Sequence, residues 1–179
     1  AARRGLANHK TTADALPCFL DGKTAELFEE FGVLTETELR SRYEVKLEKY
    51  NKLINIEGRV MRRMTRRTYL PAIIKFATQI AEGINAFAAA GAAGPTAQQR
   101  QLLDKLLAGI DEINEALQAV EQADAAAKTI ADEQEKANHN AHVMLPAMER
   151  LRETVDNMEI ITSRDLWPVP SYNNLLFYV

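Results

Sequence analysis

"LLDKLLAGIDEINEALQAV", residues 102–120, decides the fold class. Leu103, Leu106, Ile110, Ile113, Leu117 and Val120 recur along it at steps of three and four. On a helix with 3.6 residues per turn that spacing lines up six apolar side chains in one stripe. A stripe of this kind belongs to a helix packed antiparallel against its neighbours.

The same rhythm extends in both directions. Toward the C-terminus it returns as Met144, Met148, Leu151, Val155 and Met158. Toward the N-terminus it runs through Leu39, Tyr43, Leu47, Tyr50 and Ile54, then Met61 and Met64. It continues past Pro71 as Ile73, Ala77, Ile80, Ile84 and Phe87. "TETE" at 35–38 supplies a start signal, with Thr35 and Glu38 spaced for a capping box. "AAAGAAGPTAQ" at 88–98 is the stop, with glycines ending one helix and Pro95 preceding the next. No strand-like alternation of any length appears. The chain therefore reads as all-α: an elongated antiparallel bundle of about three long helices, with short N-terminal helices and an extended aromatic C-terminal tail. Residues 1–34 form a connecting segment with short helices near 12–20 and 24–31. The bundle occupies 35–165, and the tail 166–179.

Two prolines interrupt the helical pattern in matching frames, "YLPAI" at 69–73 and "MLPAM" at 144–148. A mid-helix proline removes a hydrogen bond and clashes with the carbonyl four residues back, at a cost of ~3 kcal/mol. Two kinks are expected, with a fresh helix start at each proline as the alternative.

Composition excludes several classes. Across 179 residues the net charge is −3, with 26% charged and 46% hydrophobic residues. Such a chain has no overall bias toward nucleic acid or anionic membrane, and no run is apolar for long enough to span a bilayer. The single cysteine, Cys18, forms no internal disulfide; it is expected to be a small buried hydrophobe in a cytoplasmic protein. The opening "AARRGLANHK" has no initiator methionine and no apolar run, so the chain is read as a piece of a longer protein.

Candidate chemistry is sparse. "EKANHNAH" puts Glu135, His139 and His142 on one helical face, but the Glu-x-x-His spacing of di-iron bundles is absent, and no metal site is assigned. "RVMRRMTRR" gathers Arg59, Arg62, Arg63, Arg66 and Arg67 within nine residues. Without interleaved aromatics for base stacking, this reads as a solvated or interface face matched with glutamates rather than a nucleic-acid site. No Gly-rich phosphate loop and no nucleophile–base set can be assembled, so no catalytic or cofactor-binding residue is assigned. Heptad spacing by itself also fits a free-standing helical interaction module.

The ending "LWPVPSYNNLLFYV", residues 166–179, carries no charge. Pro168 and Pro170 exclude a helix through 167–170 and favour extended backbone. Trp167, Pro168, Pro170, Tyr172, Leu175, Leu176 and Phe177 are the candidate interface residues, packed on the bundle itself or on a neighbour.

"LRETVDNMEIITSRDLWPVPSYNNLLF" resembles the C-terminus of type III glutamine synthetases, through Arg152, Val155, Asp156, Glu159, Trp167, Pro168, Pro170, Tyr172, Leu175, Leu176 and Phe177. "RRGLANHKTTADAL", "LFEEFGVLTETELRSRYEVKLEKYNKLINIEGR" and "YLPA" resemble the stretch after that family's catalytic domain. The arginine cluster and the Ala-rich stretches at 86–97 and 119–131 depart from the pattern. The resemblance implies a bacterial parent enzyme that joins ammonia to glutamate using ATP and Mg²⁺ or Mn²⁺. Its metal and nucleotide sites would lie in a catalytic domain before residue 1. By the same resemblance, this stretch serves stability and assembly. Its partners would be that catalytic domain and the neighbouring subunits of a homo-oligomer.

Overall fold

The computed structural model describes residues 2–91, 97–170 and 172–176, apart from the side chains of Ala2, Tyr172 and Asn173. Among these the fold is all-α, with no strand. The helices are α1 (Thr12–Ala15), α2 (Gly22–Glu30), α3 (Glu36–Met64), α4 (Leu70–Ala89), α5 (Ala97–Ala127), α6 (Glu133–His139), α7 (Leu145–Ile161) and α8 (Tyr172–Leu176). None of the described helices is long and apolar enough to cross a membrane. Contacts divide the chain into two units, Ala1–Gly58 with Gln122–Ala147, and Arg59–Glu121 with Met148–Val179.

Helix starts follow local chemistry. Thr35 and Glu38 close the expected capping box before α3: the Glu38 N–H donates to Thr35 Oγ1 at 3.3 Å, and the Thr35 N–H donates to Glu38 Oε2 at 2.8 Å. Asp132 caps α6 by accepting from the Glu135 N–H at 2.8 Å. Gly32 ends α2 at φ +61, a left-handed conformation that a side chain would strain.

Both prolines lie inside continuous helix. Helix persists from α3 into α4 through a π turn, Thr65–Tyr69, and from α6 into α7 through another, Asn140–Met144. In each, the leucine before the proline reaches back five residues: the Leu70 N–H bonds to the Thr65 carbonyl, and the Leu145 N–H to the Asn140 carbonyl. The wide turn opens the backbone where the proline ring needs room and where its missing N–H would leave a gap. Neither proline starts a fresh helix.

In the first unit, Ala13, Leu16, Leu47, Ala137 and Ala141 are buried together, with Phe19, Tyr43 and Tyr50 packed against them. Beside this core runs a polar ladder. The Asn51 side-chain amide donates to the Glu133 carbonyl at 3.0 Å and to its carboxylate at 2.7 Å, and accepts from the buried Asn140 amide at 2.9 Å. Asn55 donates to the buried Asp124 carboxylate at 3.1 Å, and Lys128 reaches the same group at 2.7 Å. Buried polar groups matched in this way fix one register between helices, because a slip would leave each of them without a partner.

Hydrogen bonds from Lys136 and Asn51 hold the Glu133 carboxyl below the ordinary carboxylate range, against an opposing push from burial. A group depressed on folding contributes stability that is complete above its unfolded pKa of about 4.5 and is lost as pH falls through the folded value. Glu133→Gln is therefore expected to flatten the acid limb of stability. Urea unfolding from neutral to acid pH checks this, and an unchanged acid limb would refute it.

In the second unit, α5 packs on α7. Leu106, Ile113, Leu117 and Val120 are buried, as are Met148, Leu151, Val155 and Met158. Gly109 is buried against α7: a Cβ on it would sit 1.7 Å from the Met158 sulfur. The α4 stripe is buried only at Leu70, Ile73 and Ala77, and Phe87 at its far end is 48% exposed.

Candidate functional site

The tail departs from an extended segment in its second half. Residues 167–170 are non-helical, as the two prolines require, but Tyr172–Leu176 closes a turn of helix, α8. No proline constrains the chain after Pro170, so that turn is free to form. Phe177 and the side chain of Tyr172 lie outside the described residues.

Trp167 is the anchor. Its ring stacks on Tyr69 with centroids 5.4 Å apart and planes 21° from parallel. Tyr69 ends the π turn ahead of Pro71, so the proline's local demand also shapes the surface that receives the tail. Burial pushes the Tyr69 phenol above its ordinary pKa, and the Glu159 and Asp156 carboxylates push it further. The buried Trp167 indole N–H finds no acceptor among the described residues. Pro168 and Pro170 are exposed. Leu175 and Leu176 are 64% and 70% exposed, and Ile160 on α7 is 81% exposed. A cleft of about 520 Å³ lies at this end of the unit, lined by Glu159, Thr162, Arg164, Trp167 and Asn174 among others. The tail is thus anchored through Trp167 and presents exposed apolar side chains at Leu175 and Leu176.

Other candidates are dispersed. His139 Nε2 lies 2.9 Å from the Ala123 carbonyl, a contact that requires the proton on that nitrogen. His142 instead faces Asp14, 3.6 Å away, and Glu135 is exposed. The π turn at 140–144 disrupts the α-helical spacing on which a common face depended. No group of three or more His, Cys, Asp or Glu side chains suited to a metal occurs among the described residues.

Cys18 corrects an expectation. It is exposed, with Sγ 3.3 Å from His9 Nε2. In its short 3₁₀ turn, Leu16–Leu20, the inward positions go to Leu16 and Phe19. The five arginines do converge, lining one concavity of about 510 Å³ with Glu121, which bonds Arg66 at 2.7 Å. The α5 stripe that also fitted an interaction module is taken up within its own unit, with Leu103 and Ile110 half-buried and the rest buried.

Comparison with known proteins points one way. Residues 1–88 match the family described as Glutamine synthetase C-terminal domain. Across 99% of its length the chain is 27% identical to a glutamine synthetase of Butyrivibrio fibrisolvens and 26% to one of Bacteroides fragilis. It is 30% identical, over the same share, to a type-3 glutamine synthetase of Dictyostelium discoideum. The chain spans 25% of the length of each of these relatives.

Proposed function

This chain belongs to the glutamine synthetase family, matching the C-terminal domain of its members, and from that premise we propose that it is the non-catalytic helical C-terminal domain of a type III enzyme, serving stability and oligomer assembly. The enzyme it completes would ligate ammonia to glutamate with ATP, using Mg²⁺ or Mn²⁺ held elsewhere in the protein. One observation carries the assembly role: Leu175, Leu176 and Ile160 stand exposed around a tail already pinned by Trp167. Burying such side chains at a contact contributes roughly 1.5–3 kcal/mol each, so a neighbouring subunit or the catalytic domain gains by covering them.

Two measurements test this. The full-length protein is expected to form glutamine from glutamate, ammonia and ATP, and residues 1–179 alone to form none. Activity of the isolated chain would overturn the non-catalytic reading. In the full-length protein, Leu175→Asp with Leu176→Asp is expected to shift the assembly to smaller species by native mass spectrometry. The same pair should leave the melting temperature of residues 1–179 unchanged. An intact assembly in the variant would refute the tail's role.

A further inference from the structure

The arginine face of residues 59–67 needs a separate account. We propose that it is a binding site for a compact polyphosphate anion, a small molecule carrying two or more linked phosphate groups. The cluster lies where the sequence departs from the glutamine synthetase pattern.

Arg59, Arg62, Arg63, Arg66 and Arg67 all line the same concavity of about 510 Å³, and among the described residues Glu121 is the one carboxylate in its lining. The side chains of Arg59, Arg63, Arg66 and Arg67 are exposed. Arg66 is held by Glu121 at 2.7 Å, which fixes one guanidinium in place at the wall of the concavity. Like charges spaced three and four residues apart on one helix repel. A chain with net charge −3 here concentrates five positive charges in one place.

Local backbone tightens the cluster. The π turn at Thr65–Tyr69 begins between Arg63 and Arg66. Because a π turn takes more residues to come round than an α turn, Arg66 and Arg67 fall back toward the direction of Arg62 and Arg63. The Thr65 hydroxyl donates to the Met61 carbonyl at 2.9 Å, within its own helix, and stays out of the concavity.

The ligand's class follows from size and surroundings. Planar guanidinium groups fit phosphate oxygens in a bidentate manner. From Arg59 to Arg67 the helix rises only about 12 Å, enough for a few linked phosphates but short for a nucleic-acid track. Among the described residues no aromatic lines the concavity, and the nearby Tyr69 ring is already stacked on Trp167. A base would find no platform there.

The probe is inorganic tripolyphosphate, titrated calorimetrically into the chain at low and at physiological salt. Saturable one-to-one binding that weakens with salt is expected. Arg63→Gln with Arg67→Gln should weaken it by roughly 30-fold or more, while Arg42→Gln, elsewhere on α3, leaves it unchanged. Glu121→Gln should tighten it several-fold by releasing Arg66. Melting curves of each variant separate lost binding from lost folding. Three results would overturn the proposal: no saturable binding, equal binding by the double variant, or a single-stranded oligonucleotide binding more tightly than tripolyphosphate. Self-association abolished by Arg63→Gln with Arg67→Gln, without tripolyphosphate binding, would assign the face to the acidic surface of a second copy instead.

Discussion

Gly109→Val is expected to destabilise the chain by about 1–3 kcal/mol, lowering the melting temperature by several degrees. Valine would gain a few tenths of a kcal/mol over glycine in helix propensity, which is too little to offset the clash. A Cβ at this position meets the Met158 sulfur at 1.7 Å and its methyl at 2.7 Å, and Met158 is itself buried. Gly109→Ala is the informative contrast. Its propensity gain is about 0.8–1 kcal/mol, and the atoms it displaces are the flexible end of a methionine. Its net effect should be small. Adding Met158→Ala to Gly109→Val should recover part of the loss, a coupling of about 0.5–3 kcal/mol in the double-mutant cycle. Thermal and urea unfolding read all four corners. A valine variant as stable as the parent would mean that α5 and α7 do not approach as described.

Removing the tail's anchor should matter almost as much. Trp167→Ala takes away a half-buried ring and its stack on Tyr69, and is expected to cost about 1.5–3 kcal/mol. For a chain of this size each kcal/mol lowers the melting temperature by roughly 2–4 °C. Trp167→Phe should keep much of the stability, because the smaller ring still reaches Tyr69. Trp167 is the single tryptophan, so its emission reports the anchor alone: Tyr69→Ala should shift it toward that of solvent-exposed indole. An unchanged melting curve for Trp167→Ala would mean that the tail docks somewhere other than Tyr69.

These two residues were not equally legible. The tail's break at 167–170 follows from Pro168 and Pro170 alone, since proline fixes its own backbone angle and restricts the residue before it. That Trp167 meets Tyr69 does not follow, because the two are far apart in sequence and no periodicity links them. Gly109 sits inside the most regular helix and looks like a weak point there. Only the approach of Met158 gives it a reason.

By itself the sequence determined what is local or repetitive. The stripes at three- and four-residue steps, the Thr35–Glu38 capping box and the proline-broken tail arise from interactions within a few residues. The ordered motif blocks likewise carried the family.

Tertiary structure decided the rest. It set a π turn just ahead of each proline, so that the helix continues through both. It joined Asn51, Glu133 and Asn140 into one ladder, and brought Glu121 to the five arginines. It also put Cys18 on the surface, leaving Leu16 and Phe19 to fill the interior. Each of these outcomes depends on which side chains from distant segments arrive at the same place, and that is settled by how whole helices pack, not by the spacing of residues along any one of them.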